Sequence, residues 1–155
     1  MAARSSSDPD NPLPRWRGFN LLGMFSRRHC AGFDEWDFDL IAEWGFDFVR
    51  LPLCYRLWLT DPDDPAADVD DSALSELDRA VQLGRDRGLH VCINFHHAPG
   101  YCINKRVGEP GNLWTEPAPL EAFCRHWEML ARRYRGRDPS GISFNLVNEP
   151  PEPDS

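Results

Sequence analysis

The sequence predicts an α/β fold in which short buried strands alternate with amphipathic helices around a parallel sheet. Apolar runs recur along the chain, each is followed by apolar residues at helical spacing, and loops rich in Gly, Pro or acidic residues separate them. Because parallel strands need right-handed crossovers, the sheet is either doubly wound or bent into a (β/α)8 barrel. The 155 residues, 41% of them hydrophobic, suffice for one globular domain.

The first strand and helix follow a polar lead-in. Residues 1–14 are rich in Ser, Asp and Pro and lack an apolar period, which predicts a disordered segment before a folded domain at 15–155. A short strand is predicted at 17–22, and Asp34 is a plausible N-cap for the helix after it. The apolar face of this helix, which we expect in the core, carries Trp36, Leu40, Ile41 and Trp44.

The second unit begins with a buried strand at 46–51, which Pro52 is expected to end. After an acidic loop, Ser72 is a candidate N-cap for a helix that ends near Gly88. The apolar residues of that helix are Leu74, Leu77, Ala80 and Val81. The clearest strand of the chain follows at 89–95.

The last part of the chain contains a long loop, a helix and a final strand. The loop, 96–119, is marked by Gly and Pro, and Gly136 is a natural C′ residue for the helix after it. This helix carries apolar residues at spacings of three and four, namely Leu120, Phe123, Trp127, Leu130 and Tyr134. A strand at 142–147 completes the order β-α-β-α-β-α-β.

The type of parallel sheet depends on the turn after the first strand. A dinucleotide-binding sheet would need the spacing G-x-G-x-x-G there, but Leu-Leu-Gly-Met-Phe at 21–25 has a single glycine, so that fold is set aside. A complete (β/α)8 TIM barrel takes about 250 residues. The fold class predicted is therefore α/β, as the N-terminal half, strands one to four, of a (β/α)8 barrel.

Charge and cysteine content exclude several functions. A net charge of −8 and a pI near 5.0 argue against a nucleic-acid partner, which usually requires a basic surface. No apolar run reaches the length of a membrane span, and the first 14 residues lack the apolar core of a signal peptide, so we expect no membrane partner and a cytoplasmic location. Five cysteines without C-x-x-C spacing indicate reduced thiols rather than a metal site.

Polar residues follow the predicted strands at the points where they end. Arg50 ends the second strand, His96 and His97 the third, and Asn148 and Glu149 the fourth. Taken singly, each has a structural alternative: a salt bridge for the arginine, bonds to loop carbonyls for the histidines, and a turn for Asn-Glu-Pro. Because parallel strands bring these ends to one rim, their joint placement favours a functional site.

Glycosidic bond cleavage suits such a rim, because one carboxyl group must protonate the leaving oxygen while a second attacks or activates water. Glu149 is the candidate acid, and burial at the base of a cleft would keep it protonated. Asn148 is placed to bond the sugar 2-hydroxyl. The fixed charge of Arg50 would keep a nucleophilic carboxylate ionised, and the histidines would orient carboxylates and sugar hydroxyls.

Three ordered motifs carry a resemblance to glycoside hydrolase family 5. They are Phe-Val-Arg-Leu-Pro at 48–52, Asn-Phe-His-His-Ala-Pro-Gly-Tyr at 94–101 and Asn-Leu-Val-Asn-Glu-Pro at 145–150. They resemble that family's second, third and fourth strands, and Arg-Gly-Phe-Asn-Leu at 17–21 resembles its first. The match runs from about Trp16 to Pro150.

This resemblance implies a retaining β-glycosidase of cellulase type with two glutamates and no cofactor or metal. It assigns the acid/base to Glu149, with Asn148 beside it, the strand-two arginine to Arg50, and the strand-three histidine to His96, with His97 adjacent. The family's nucleophile is a glutamate on strand seven, to which no residue of this sequence corresponds. Glu109 and Glu116 are expected to be solvated loop charges.

Aromatic residues in the rim loops are candidates for stacking on a carbohydrate substrate. They are Trp58, Tyr101 and Trp114, and packing of the loops is the alternative role for each. A four-strand half barrel also leaves two open sheet edges, which invite self-association or a complementary half. Three interpretations stay open: an inactive fragment, a barrel completed by another chain or copy, and a non-catalytic carbohydrate-binding module.

Overall fold

A computed structural model describes residues 14–151, so the predicted disordered lead-in lies outside the described residues except for Pro14. Two short 3₁₀ helices, Tyr55–Trp58 and Asp71–Leu74, accompany the main elements. In chain order those elements are β1 (Gly18–Asn20), α1 (Glu35–Glu43), β2 (Phe48–Cys54), α2 (Ser75–Asp86), β3 (His90–Ala98), β4 (Tyr101–Cys102), α3 (Pro117–Arg133) and β5 (Ile142–Asn145). The predicted order is confirmed, with the hairpin strand β4 added.

Four parallel strands form the sheet in the order β1-β2-β3-β5. The strand β4 is different, because it pairs antiparallel with the end of β3. Consecutive parallel strands therefore lie side by side in one direction, with no reversal of the kind that defines a doubly wound sheet. This is the strand order of the first half of a (β/α)8 barrel, as predicted.

The core lies between the two central strands and the helices that cover them. The buried strand residues are Val49, Leu51 and Leu53 in β2 and Val91, Ile93 and Phe95 in β3. From α2, Leu77, Ala80 and Val81 pack in the same cluster. A Cβ at Gly84 would lie 2.4 Å from Val91 Cγ2, so glycine is needed where α2 approaches β3.

The prediction that Pro52 ends the second strand is wrong, because β2 continues through it to Cys54. Pro52 stands opposite Asn94 in the parallel ladder. In a strand, alternate residues direct their main-chain groups to the same side. The Arg50 carbonyl accepts from the Leu21 N–H and the Cys54 N–H donates to the Met24 carbonyl, so this side is the one that faces β1 and the loop after it. The missing N–H of Pro52 therefore points to the side where β1 has already ended, and the ladder with β3 loses no bond.

The helix caps were predicted with mixed success. Asp34 caps α1 by accepting a bond from the Trp36 N–H, and Gly136 after α3 has a positive φ, both as expected. Ser72 does not cap the second helix, because Leu74 stands at the N-cap of α2 and Ser72 lies in the 3₁₀ helix before it, which Asp70 caps by accepting from the Ser72 N–H. An acidic residue two positions earlier was the better acceptor.

Two tryptophans predicted in the core are exposed instead. Trp36 and Trp44 are 61% and 64% exposed, while Phe38 and Ile41 are the buried residues of α1. At the end of α2, Arg87 contacts α1 through Glu35 and Asp39. The apolar face of α1 that is buried is therefore that of Phe38 and Ile41, not that of the two tryptophans.

The two edge strands carry exposed apolar side chains. Phe19 and Leu22 lie at the β1 edge, and Phe144 and Leu146 lie at the β5 edge. Within residues 14–151, each edge strand has a neighbour on one side only. No helix in this part of the chain is long and apolar enough to cross a membrane. The cytoplasmic location stays a prediction.

Candidate active site

Arg50 forms the centre of a hydrogen-bonded network at the carboxyl-terminal end of the sheet. Its Nη2 donates to Asn145 Oδ1 at 3.0 Å and to Asn148 Oδ1 at 2.9 Å, while its Nη1 lies 3.4 Å from Asn20 Oδ1. One guanidinium thereby joins the ends of β1 and β5. The prediction that Arg50 ends the second strand is wrong, because it is the third residue of β2, which continues to Cys54. Fixed charge and fixed geometry together make Arg50 the organising residue of this rim.

Three asparagines belong to this network, and no separate role was predicted for them from the sequence. The Asn94 amide donates to the main-chain oxygen of Asn145 at 3.1 Å and to its Oδ1 at 2.7 Å. Asn145 Oδ1 thus accepts from both Asn94 and Arg50, and Asn20 completes the set. The available signal was Asn94 inside the most apolar strand, where a buried amide requires partners; Asn20 and Asn145 are exposed and carried no such signal.

Asn148 is buried and held by its main chain as well as by Arg50. Its N–H donates to the Phe95 carbonyl at 2.8 Å, which continues the contact between β3 and β5 beyond the ladder. Its side-chain Nδ2 is buried and has no hydrogen-bond partner among the described residues. An unpaired buried donor is costly, so this amide is available to an acceptor that arrives at the rim.

Glu149 follows directly and has an unusual main-chain conformation. Its φ of 44° lies in the left-handed region, which costs a residue other than glycine about 1–3 kcal/mol. The Tyr101 hydroxyl donates to the Glu149 carbonyl oxygen. The side chain is exposed in this chain, so the predicted burial at the base of a cleft is not provided by the described residues.

The two histidines lie where β3 departs from regular pairing with β2. Leu53 stands opposite Phe95 and Cys54 opposite His97, so His96 is the extra residue of a β-bulge. The Phe25 ring lies 4.6 Å from His96 and 5.5 Å from His97. Burial, followed by the nearby His97 and Arg50, lowers the pKa of His96 to about 4, so His96 is neutral at pH 7. Its buried Nδ1 lacks a partner among the described residues.

Glu109 is not the solvated loop charge that was predicted. Its side chain is only 4% exposed and accepts bonds from Arg56 Nη2 at 2.9 Å and from the Tyr55 hydroxyl at 3.2 Å. Its second oxygen lies 3.6 Å from Nδ1 of the buried His97. Glu116, in contrast, is exposed as expected. Glu109 therefore anchors an otherwise exposed loop to the 3₁₀ helix after β2.

Two of the three candidate stacking residues lie together. Trp114 is 49% exposed, and its ring meets the Tyr101 ring edge to face at a centroid distance of 5.5 Å. Trp58 is completely buried, and its Nε1 lies 3.3 Å from His126 Nδ1, so it belongs to the core and not to the rim. Of the two roles considered for Trp58, packing therefore holds and a sugar contact does not.

A cavity of about 250 Å³ lies away from this rim, at the amino-terminal end of the sheet. Its lining includes Arg85, Leu89, Arg137 and Ile142. Among the described residues, no cluster of three or more His, Cys, Asp or Glu side chains could hold a metal ion. The polar groups described above lie at the opposite, carboxyl-terminal end of the sheet.

Fold and rim together define a class of protein. A sequentially ordered parallel sheet that gathers an arginine, histidines, amides and a carboxylate at the carboxyl ends of its strands has the layout of a (β/α)8-barrel enzyme active site. The family model described as Cellulase (glycosyl hydrolase family 5) matches residues 9–155. The chain belongs to glycosyl hydrolase family 5.

Curated relatives and solved structures agree with this membership. Endoglucanase C of Acetivibrio thermocellus is 35% identical over 145 residues, which cover 89% of this chain and 41% of that protein. Cellodextrinase A of Ruminococcus flavefaciens is 34% identical over 86% of this chain and 40% of its own length. A crystal structure of a glycoside hydrolase superposes with a TM-score of 0.79 at 38% identity, covering 86% of this chain and 42% of that one. The chain therefore spans about two fifths of these proteins.

Proposed function

We propose that this chain provides the acid/base half of a retaining β-glucan hydrolase, with Glu149 as the acid/base. The observation that carries the proposal is the connection from Arg50 through Asn148 to Glu149 at the carboxyl end of β5. Membership of glycosyl hydrolase family 5 supports hydrolysis as the chemistry. The relatives named endoglucanase C and glucan 1,3-beta-glucosidase support a β-glucan as the substrate.

In the first step, Glu149 gives its proton to the glycosidic oxygen while a second carboxylate attacks the anomeric carbon. The leaving sugar departs with that proton, and a covalent glycosyl-enzyme forms. In the second step, Glu149, now ionised, takes a proton from water, whose oxygen displaces the carboxylate. The unpaired Nδ2 of Asn148 supports a role as donor to the sugar 2-hydroxyl.

The second carboxylate must stand about 5–5.5 Å from the first in a retaining pair. Glu109 is unsuited to this role, because its carboxylate is buried in the ion pair with Arg56. We propose that the nucleophile comes from further strands of a completed barrel. The exposed apolar residues at both sheet edges support this, since strands added at β1 and β5 would cover them.

A second candidate function is carbohydrate binding without catalysis. The exposed ring of Trp114 favours it, because an aromatic face next to polar groups binds sugar rings whether or not a carboxylate pair is complete. This function needs Trp114 and not Glu149. The two candidates therefore differ in which substitution abolishes the measured signal.

The test is hydrolysis of aryl β-glucosides, aryl β-cellobiosides and soluble β-glucan, with the mass of the protein in solution recorded. In the completed enzyme, Glu149→Gln should lower the rate by about 10²- to 10⁴-fold on substrates with poor leaving groups. Glu116→Gln is the matched control, because it changes an exposed glutamate of the rim loops. Unchanged hydrolysis in Glu149→Gln would end the assignment. Glucan binding that survives Glu149→Gln but not Trp114→Ala, without hydrolysis in either, would support the binding module.

A further inference from the structure

We propose that Tyr101 is a positioning residue that links the sugar-stacking surface of Trp114 to the main chain of Glu149. Its hydroxyl acts on the acid through the peptide carbonyl, and its ring supports Trp114 from the side. This inference rests on the proposed function of Glu149. It assigns Tyr101 a role different from the direct sugar contact expected from the sequence.

The hairpin between β3 and β4 fixes the position of Tyr101. Ala98 pairs with Tyr101 in the antiparallel ladder, and Gly100 between them has a φ of 71°. A Cβ at Gly100 would lie 2.6 Å from the Leu113 nitrogen, and the Leu113 N–H donates to the Gly100 carbonyl at 3.1 Å. The turn and the segment that carries Trp114 are therefore in direct contact, so the Tyr101 ring has little freedom.

The Tyr101 hydroxyl donates to the main-chain carbonyl of Glu149, a residue in an energetically costly conformation. Glu149 adopts a left-handed φ of 44°, although it has a full side chain and precedes a proline. A residue before proline favours an extended conformation, so Glu149 needs contacts that hold it elsewhere. Asn148 is fixed by Arg50 and by the Phe95 carbonyl, while the Tyr101 hydroxyl holds the carbonyl of Glu149 itself.

The direction of the Glu149 side chain follows from this main-chain conformation. A change of φ from the left-handed to the extended region rotates the Cα–Cβ bond, and the carboxyl group moves with it. Positioning errors of about 1 Å cost roughly 10²-fold in rate when a group must be aligned with a reacting atom. A sugar on the Trp114 face would press that ring against Tyr101 and so steady the hydroxyl.

The first test needs no activity. Nuclear magnetic resonance of the isotope-labelled chain gives the main-chain shifts and couplings of Glu149, which report its φ. In Tyr101→Phe, which keeps the ring and removes the hydroxyl, these values should move towards those of extended backbone. Tyr134→Phe is the control, because it removes a hydroxyl that bonds Asp78 at 3.0 Å. Identical Glu149 values in wild type and Tyr101→Phe would overturn the proposal.

The second test uses the completed enzyme and a series of aryl cellobiosides. Acid assistance in the first step matters most for poor leaving groups, and kcat/KM reports that step. Tyr101→Phe should therefore lower kcat/KM by about 10- to 100-fold on phenyl cellobioside and by less than about threefold on a dinitrophenyl analogue. Trp114→Ala, which removes a surface for the sugar, should instead lower kcat/KM by a similar factor on every leaving group. An equal loss on all leaving groups would mean a merely structural role and would refute the proposal.

The two proposals fail in different ways. If Glu149→Gln hydrolyses every substrate normally, the proposed function is wrong, whatever Tyr101→Phe does. If Glu149→Gln shows the leaving-group dependence and Tyr101→Phe does not, the acid/base assignment stands and the role of Tyr101 is rejected.

Discussion

Strand β3 places a histidine at each end, and the two have opposite surroundings. At the amino end, both ring nitrogens of His90 are paired, Nδ1 with the Ser140 carbonyl at 2.8 Å and Nε2 with Ser143 Oγ at 2.7 Å. The Trp16 ring stacks on His90 at a centroid distance of 3.8 Å. At the carboxyl end, His96 sits in a bulge with Nδ1 unpaired among the described residues.

This contrast separates stability from function along one strand. A ring with both nitrogens paired and a stacked neighbour stabilises the fold, because its hydrogen bonds are complete without a ligand. A buried ring nitrogen without a partner is costly in the free protein and becomes satisfied only when something binds. The amino end of the sheet is therefore expected to determine folding, and the carboxyl end to determine activity.

The largest effect is expected from the centre of the rim. Arg50→Met removes the donor that bonds Asn145 and Asn148, so kcat/KM for aryl cellobiosides should fall by about 10²- to 10³-fold in the completed enzyme. Arg132→Met, on the exposed face of α3, is the control and should leave hydrolysis unchanged. Activity within tenfold of wild type would show that the rim does not depend on this arginine.

Substitution of His90 and His96, two of the three histidines of β3, sharpens the comparison directly. His90→Leu deletes two hydrogen bonds and should lower the free energy of unfolding by about 2–3 kcal/mol. His96→Gln should change it by less than about 1 kcal/mol but reduce hydrolysis. Urea unfolding measures the stability of both variants, and kinetics on aryl cellobiosides measure their hydrolysis. Equal destabilisation by both would remove the distinction between the two ends.

Another histidine, His126 in α3, makes stability depend on pH. Burial, followed by Arg125, lowers the pKa of His126 to about 4, below its ordinary value of 6.5. The unfolded chain therefore binds the proton more tightly, and stability should decline as pH falls from 6.5 towards 4. Between pH 7 and pH 5 this amounts to ~2 kcal/mol.

Urea unfolding at pH 7 and pH 5 measures this loss. Comparison of wild type with His126→Gln removes the contributions of carboxylates and of His96, which both proteins share. The wild type should lose ~2 kcal/mol more than the variant over this interval. The same loss of unfolding free energy in both proteins would mean that a group other than His126 takes up the proton in this interval.

The smallest effect concerns the loop that Glu109 anchors. Glu109→Gln weakens the bond to Arg56, so the exposed Lys105 and Arg106 nearby should become more accessible to trypsin. A loss of about 1 kcal/mol in local stability corresponds to roughly fivefold faster cleavage. Glu116→Gln, in the same loop but exposed, should leave the cleavage rate unchanged. A similar rate for wild type and Glu109→Gln would mean that other contacts hold the loop.

The order of elements could be predicted from the sequence because it depends on local patterns. Apolar runs bounded by turn residues marked the strands, and Asp34 and Gly136 marked helix ends by their own chemistry. The extent of β2 could not be predicted in this way. Whether a proline interrupts a strand depends on which side its nitrogen faces, and the absence of a β1 partner beside Pro52 is a property of the assembled sheet.

Single residues of the site could be predicted from their position in the sequence, but contacts between distant residues could not. The predicted strand ends pointed to Arg50, Asn148 and Glu149, and the structure brings the first two into contact although Arg50 lies inside β2. The burial of Glu109 was missed, because its partner Arg56 is 53 residues earlier and has no sequence signal. The exposure of Trp36 was missed as well, since a helical pattern shows which residues share a face and not what covers it.

The exposed Trp44 at the end of α1 has a practical use. At 100° per residue it lies opposite Glu35 and Asp39, the side of α1 that Arg87 contacts at the end of α2. An indole that is transferred from water to a protein interface emits at a shorter wavelength. Trp58 is already completely buried, so its emission should not shift when a partner binds. Because Trp36 and Trp114 are exposed as well, the difference in emission between wild type and Trp44→Phe reports whether a partner covers the end of α1.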